Sequence, residues 1–436
     1  MRDFLRKCFL LALCLALVSC AVFAAAEGTD EVGEWIDQAW KAFDVGDYET
    51  SLRCFLLAAD SGNQYAQYMA ASQYAMGLGV DVDYEKAAMY YQLAADQGNA
   101  AACQALGEMY FRGDGVEQSY DKSVEYSLMA ADAGNAQAQY DLGWMYDYGV
   151  GVEQSDEKAV EYYQLAADQD HAKALQNLGL MFEEGRGVER DYEKAAECYS
   201  RAVDQGLYAA WVNLGYMYEN GLGFEASLET AAEYYRKAAD QGDDIGLLDL
   251  AVMYEFGKGV DPSIEKAVEY YQLSADKGNA IAQFYLGQMY DFGDGVDQDY
   301  DKALMYYRLS AEQEYAPGQC ALGQAYQFGI GVNIDYEKAL MYYRLSAEQE
   351  YAPGQWALGQ AYQFGIGVDI DYEKAAEYYA LAADQGDPDG LECLGYLYLE
   401  GLGVEQSREK AVELYKLAAA GGSEEARNQL LILGEQ

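Results

Sequence analysis

Apolar and polar positions follow a helical period along most of the chain, and the pattern itself repeats. In Lys86-Ala87-Ala88-Met89-Tyr90-Tyr91-Gln92-Leu93-Ala94-Ala95 the apolar residues recur at helical spacing. A break follows at Gln97-Gly98-Asn99. A second run, from about Ala100 to Phe111, puts Ala102, Leu106, Gly107 and Tyr110 on one face. The pair of runs recurs every 36 residues, beginning at Asp47, Asp83, Ser119, Ser155, Asp191, Ser227, Ser263, Asp299, Asp335, Asp371 and Ser407. Ten units are complete and the eleventh stops at Gln436. Such strict self-similarity predicts an array in which each unit packs on its neighbours rather than one shared core.

The ends of the runs carry helix punctuation. The opening Asp or Ser is the residue type wanted at an N-cap, and Glu or Asp usually follows two places on, at the positive end of the helix dipole. The second run ends in Gly-x-Gly followed by Val or Phe in all ten complete units, as in Gly113-Asp114-Gly115-Val116 and Gly221-Leu222-Gly223-Phe224. A glycine just past a helix supplies the left-handed backbone of a C-cap. A phosphate loop would instead need a preceding strand and a following helix N-terminus. Here a helix precedes and acids follow. Ala102 and Gly107 let helices approach closely, while Leu106, Met109 and Tyr110 fill the space between layers. The Tyr-Tyr pairs (Tyr90-Tyr91, Tyr162-Tyr163, Tyr234-Tyr235, Tyr270-Tyr271) read as packing between repeats.

The pattern Ala-x-x-x-Leu-Gly-x-x-Tyr-x-x-Gly-x-Gly-Val-x-x-Asp-x-x-Lys-Ala-x-x-Tyr-Tyr resembles the Sel1-like repeat family. The resemblance implies an all-α chain: helix–turn–helix repeats stacked into a right-handed superhelical α/α solenoid related to tetratricopeptide repeats. In that family's phase ten repeats run over 62–421. Residues 27–61 and 422–436 are then capping helices, marked by Trp35, Ile36 and Trp40 at one end and by Glu424 to Leu433 at the other. Some secreted family members carry a disulfide pair in each unit. Here Cys54, Cys103, Cys198, Cys320 and Cys393 are odd in number and far apart. They read as small buried apolar residues, with a single disulfide between neighbouring units left open.

Residues 1–26 read as a targeting segment. Arg2, Arg6 and Lys7 precede an apolar stretch from Cys8 to Val18 that is too short to span a bilayer. Two processing routes stay open. Val22-Phe23-Ala24 and Ala24-Ala25-Ala26 suit simple cleavage, and Leu17-Val18-Ser19-Cys20 resembles a lipobox that would leave Cys20 lipidated. The expected destination is the periplasm, the cell envelope or the medium, with a lipid at Cys20 as the one route to a membrane.

Charge then narrows the partners. The chain carries 74 acids against 28 bases, a formal charge of −46. Polyphosphate and anionic membrane surfaces would be repelled, and a Lys- or Arg-rich protein or peptide would not. No chemistry stands out. The single histidine, His171, reads as part of a turn, and no nucleophile–histidine–acid set can be built around it. Histidines and paired cysteines for a zinc site are missing. Asp81-Val82-Asp83, Asp297-Gln298-Asp299 and Asp369-Ile370-Asp371 lack the spacing of a calcium loop and read as caps and solvated loops, with weak Ca²⁺ collection left open. No catalytic residue, metal or cofactor is assigned.

By analogy with tetratricopeptide-like folds, the resemblance implies a concave groove lined by the family-phase first helix (the second run of each 36-residue unit). Its contacts fall two before the Leu-Gly pair, one past it and four past the Gly. Those stripes vary from unit to unit. They contain Tyr140, Trp144, Tyr216, Phe284 and Trp356, and five consecutive acids, Asp147, Glu183, Glu219, Glu255 and Asp291. Aromatic anchors beside a charged rim suit recognition of an extended basic segment. The units 299–334 and 335–370 differ only at Asp301/Glu337, Cys320/Trp356 and Asn333/Asp369. Lengthening by duplication suits a binding scaffold or a structural spacer and argues against the remaining alternative, a carboxylate-dependent cell-wall hydrolase.

Overall fold

The computed structural model describes residues 30–435. The targeting segment and Cys20 lie outside them. The described residues form 23 helices and no strand, an all-α helical repeat solenoid. The chain divides into two compact units, 1–207 and 208–436.

In the first unit, α1 (Asp30–Asp44) precedes four helix pairs: α2 (Tyr48–Asp60) with α3 (Gln64–Met76), α4 (Tyr84–Ala95) with α5 (Ala100–Arg112), α6 (Tyr120–Asp132) with α7 (Ala136–Tyr148), and α8 (Asp156–Ala167) with α9 (Ala172–Glu184). It closes on α10 (Tyr192–Asp204). The second unit opens on α11 (Ala210–Asn220). It continues through α12 (Leu228–Asp240), α13 (Asp244–Phe256), α14 (Ile264–Asp276), α15 (Ala280–Phe292), α16 (Tyr300–Glu312) and α17 (Ala316–Phe328). Then come α18 (Tyr336–Glu348), α19 (Ala352–Phe364), α20 (Tyr372–Asp384), α21 (Pro388–Glu400), α22 (Arg408–Ala420) and α23 (Glu424–Leu433). Within each unit every helix packs on the next, and the second helices of adjacent repeats also meet, as α7 does α9 and α17 does α19.

The punctuation read from the sequence does its work. Each opening Asp or Ser accepts a hydrogen bond from the backbone N–H three residues on, as Ser155 does from Lys158 and Asp371 from Lys374. Asp83, Asp299 and Asp371 are therefore caps within the acidic loops. Each second helix that ends in Gly-x-Gly is closed by its first glycine in left-handed backbone, as at Gly113 (φ 79°). The second glycine has a different reason: close approach. A Cβ on Gly115 would lie 2.3 Å from the carbonyl carbon of Tyr84, at the start of the preceding first helix. The Gly-x-Gly loop thus sets the spacing between repeats.

The Tyr-Tyr pairs divide their labour. The second tyrosine is buried between layers: Tyr163, Tyr271 and Tyr379 are each 0% exposed, as is Tyr199, which follows Cys198 at the same position. The first stacks on the aromatic of the preceding second helix, as Tyr162 does on Tyr146 at 5.6 Å and 3°, with Lys158 over the Tyr146 ring at 4.8 Å. All five cysteines in 30–435 are free. Cys54, Cys103, Cys198 and Cys320 are buried and Cys393 is half-buried. Burial pushes the Cys320 thiol up to about 12 and that of Cys198 up to about 11.

Candidate binding surface

The second helices present the candidate residues, and the local repeat explains their placement. Leu and Gly at the centre of each second helix face the following first helix, so residues on either side of that stripe turn toward the neighbouring second helices. In the first unit Tyr140 and Trp144 share α7 with Asp147, about one turn on from Trp144, and Glu183 lies on α9. Tyr140 stacks on His171 at 4.9 Å and packs on Tyr163 at 6.0 Å. Trp144 meets Phe111 edge-on at 5.8 Å and lies against Tyr148 at 5.0 Å. In the second unit Tyr216 is 48% exposed, Phe284 packs against Tyr307 and Tyr315, and Trp356 packs on the hydrophobic core.

The five acids share one geometry that the sequence did not suggest. Each accepts a hydrogen bond from the buried tyrosine 16 residues later, on the next first helix. Tyr163 donates to Asp147 Oδ2 at 3.2 Å, Tyr199 to Glu183 Oε2 at 2.6 Å and Tyr235 to Glu219 Oε2 at 2.9 Å. Tyr271 donates to Glu255 Oε2 at 2.6 Å and Tyr307 to Asp291 Oδ2 at 3.1 Å. Where the stripe turns neutral the bond persists, from Tyr343 to Gln327 at 2.6 Å and from Tyr379 to Gln363 at 2.5 Å. These groups satisfy the phenol of a buried ring, which would otherwise lose its hydrogen bond to water. Burial, followed by the neighbouring carboxylate, pushes the phenols of Tyr199 and Tyr271 far up.

Two of the five acids are also paired with a cation from the x position of a later Gly-x-Gly loop. Arg186 Nη2 donates to Asp147 Oδ1, and Lys258 Nζ lies 3.1 Å from Glu219 Oε1. No Lys, Arg or His among the described residues lies within ion-pair distance of Glu183, Glu255 or Asp291; the equivalent loop positions are Leu222, Asp294 and Ile330.

One further position was missed. The residue just before Leu-Gly (Leu250-Ala251 in one repeat) is Asp141, Asn177 or Asp249 in different repeats, a polar group on an otherwise apolar helix face. Burial lifts the Asp141 carboxyl to about 6, against a donated bond from Gln137 at 2.8 Å. Burial and then Glu219 and Asp243 lift Asp249 to about 7. Asn177 Nδ2 donates to Tyr163 Oη at 3.0 Å. The break in the apolar pattern at these positions is the signal that was available.

His171 occupies an N-cap that is Asn in several other repeats. Its Nδ1 accepts from Ala174 N at 3.2 Å, its Nε2 lies 3.2 Å from Gln137 Oε1, and burial, then Lys173, holds its pKa down. A cavity of about 780 Å³ opens in the first unit beside Gln104, Glu108, Asp141 and Trp144. No group of three His, Cys, Asp or Glu among the described residues could hold a metal, and no described helix is long and apolar enough to cross a membrane.

Comparison with known proteins identifies the repeat. The Sel1 repeat model matches eleven segments: 45–63, 64–99, 100–135, 136–171, 172–207, 212–243, 245–279, 280–315, 316–351, 352–387 and 394–423. A search of curated proteins finds no match. Among solved structures, the chain is similar to a protective antigen of uropathogenic Escherichia coli with an SLR fold. The two are 34% identical over 87% of this chain and 89% of that one, with a TM-score of 0.58. It is also similar to a Sel1 repeat protein from Oxalobacter formigenes, 31% identical over 71% of this chain and 90% of that one, with a TM-score of 0.52. With the repeat model matched along most of its length and a 34% identical relative covering 87% of it, this chain belongs to the Sel1 repeat family.

Proposed function

We propose that this protein is a non-enzymatic scaffold, exported to the cell envelope or beyond, that holds a Lys- or Arg-bearing protein or peptide against its second helices. Sel1 repeat proteins mediate protein–protein interactions and are typically not enzymes, which gives the coarse reading. The observation that carries the finer one is the pairing of half-exposed aromatics with carboxylates that have no cation of their own. Glu183, Glu255 and Asp291 each spend one oxygen on a tyrosine and are left without an ion pair. Phe284 lies on the same helix as Asp291, and Tyr216 is exposed two repeats before it. Aromatic area supplies affinity, and carboxylates at its edge select for cations. Export rests on residues 1–26, and the likeness to a protective antigen is in keeping with it.

The scaffold supplies its own test. Gln327 and Gln363 show that an amide holds the buried tyrosine as a carboxylate does. The triple variant Glu183→Gln, Glu255→Gln, Asp291→Asn therefore removes three charges and keeps three hydrogen-bond acceptors. Labelled extended peptides rich in Lys and Arg are titrated against it, against the unaltered chain, and against a control with Glu125, Glu161 and Glu197 changed to Gln on the exposed face of the first helices. Binding that falls in the first variant and holds in the control supports the reading. Equal binding by all three overturns it and leaves a general attraction to an acidic chain.

A further inference from the structure

Eleven first helices carry a residue at the position of the second tyrosine, and ten of these are aromatic, from Phe55 and Tyr91 to Tyr415. The exception is Ser127 on α6. In seven of the tyrosine repeats that follow, the ring lies over the glycine of the second helix 20 residues before it, and a Cβ on Gly143 would sit 2.4 Å from the Tyr163 ring. In the Ser127 repeat the glycine is kept, as Gly107, but a Cβ there would meet no ring: its nearest neighbours are the Ser127 hydroxyl at 2.8 Å and the backbone of Ser123 and Ser127 at 3.4 and 3.5 Å. The neighbouring Ser123 stands where every other repeat but the first (Ser51) has Ala, and its hydroxyl donates to the Gly107 carbonyl at 2.8 Å. The space that a tyrosine ring fills elsewhere is here part of the cavity of about 780 Å³, which Gly107, Ser123 and Ser127 line.

The rest of that lining matches a ring. Tyr91, Phe111, Tyr140 and Trp144 supply aromatic walls. Phe111 holds the position at which Asp147 and Glu183 accept the phenol of the next tyrosine, so the acceptor has become a wall. A second acceptor remains. Asn177 bonds the Tyr163 hydroxyl at 3.0 Å, and one repeat earlier its place is taken by Asp141, which lines the cavity. A hydroxyl brought in on a ring would meet that carboxylate. A cation would enter beside Lys173 and beside Arg112, which already neutralises Glu108 at 2.6 Å.

We propose that the cavity between α5 and α7 receives a tyrosine side chain from a bound polypeptide, supplied in trans where every neighbouring repeat supplies an aromatic ring in cis. The scaffold reading enters only in naming a polypeptide as the source of the ring. A cavity with aromatic walls and a polar group at its edge takes up an aromatic molecule from water because its walls regain contacts they otherwise lack.

The probe is p-cresol, the free form of the tyrosine side chain, titrated into the purified chain by calorimetry, with toluene and n-butylammonium as comparisons. The expected order is p-cresol, then toluene, then n-butylammonium, with p-cresol weakened at least about fivefold by Trp144→Ala, which removes a wall. Ser127→Tyr refills the site from within and should abolish p-cresol binding while raising the melting temperature. N-acetyl-tyrosinamide should compete with p-cresol. Three results overturn the proposal: no p-cresol uptake, uptake unchanged in both variants, or n-butylammonium bound more tightly than p-cresol. Because the probe carries no charge, these results are independent of the basic-peptide titration.

Discussion

Gly143 lies directly beneath Tyr163. A Cβ on the glycine would stand 2.4 Å from Cδ1 and 2.7 Å from Cε1 of the buried ring. The same pairing recurs at Gly179 with Tyr199, Gly323 with Tyr343 and Gly359 with Tyr379. Two tyrosine repeats carry alanine instead, Ala71 before Tyr91 and Ala251 before Tyr271, and Tyr271 is still fully buried and still bonded to Glu255. A single methyl can thus be absorbed by shifting the ring. Gly143→Ala should cost about 1 kcal/mol and Gly143→Val about 3 kcal/mol, the range seen when a packed core is overfilled. Urea denaturation followed by circular dichroism reads both, and a valine variant as stable as the parent would remove the ring contact as the reason for glycine here.

The contact also shows what the sequence could and could not disclose. Helices, caps and the left-handed first glycine were legible because each depends on residues within a few positions of one another, as with Ser155 and Lys158. The second glycine was not, because its constraint comes from Tyr84, a unit away from Gly115 in the chain. Nor was the role of the acidic stripe. Asp147 and Tyr163 are 16 residues apart on different helices, and only the packing of one helix on the next turns an acid chosen for its charge into the acceptor of a buried phenol. Asp141 and Asp249 were visible as interruptions of the apolar face, but their burial depends on neighbours that the repeat does not spell out.

That acceptor role predicts an asymmetry between partners. Tyr271→Phe removes the donor and frees Glu255, which is partly exposed and can turn to water. Glu255→Leu strands the phenol of a ring that is 0% exposed. The first should cost about 0.5–1 kcal/mol and the second about 2 kcal/mol, since an unsatisfied buried polar group costs more than a lost bond. Glu255→Gln should stay within about 0.5 kcal/mol of the parent, by the precedent of Gln327 and Gln363. Equal costs for Phe and Leu would mean that the bond adds nothing to the packing of the ring.

Backbone strain gives an independent prediction. Between the helices of a repeat most units place a glycine in left-handed conformation, such as Gly98 at φ 85°. Asp170, Glu314 and Glu350 adopt it without being glycine, at φ 57°, 60° and 59°. Asp170 is held by Arg201 at 2.7 Å, whereas no such ion pair anchors Glu314 or Glu350. Glu314→Gly and Glu350→Gly should each stabilise the chain by about 0.5–1 kcal/mol, while Asp170→Gly should gain less because it loses the ion pair. Thermal melts of the three single variants order them. A loss of stability in the two glutamate variants would show that the left-handed backbone there is unstrained.

Asp249 makes stability fall with rising pH. Burial first, then Glu219 and Asp243, lift its carboxyl to about 7 in the folded chain, whereas an unfolded chain releases the proton near pH ~4. Between those values the folded state holds a proton that the unfolded state has lost. Its contribution is therefore fully favourable below about pH 4 and is withdrawn as pH rises through about 7. The groups facing it are Glu219, already engaged by Lys258 at 3.1 Å and by Tyr235 at 2.9 Å, and Asp243, which caps α13 through the Gly246 N–H. None of these supplies a cation to Asp249 itself. Asp249→Asn replaces the titrating group with one that the scaffold already uses at Asn177, where the amide donates to a buried tyrosine at 3.0 Å. At pH 8 the variant should be more stable by about 2 kcal/mol, roughly half of what a full shift of that size would give, because the carboxyl retains some solvent. At pH 4 the two should be indistinguishable. Urea midpoints for both proteins across that range separate this residue from the general repulsion of a −46 chain, which both share. A difference between them that stays constant with pH would show that Asp249 is charged in the folded state throughout and that its neighbours, not its protonation, set the cost.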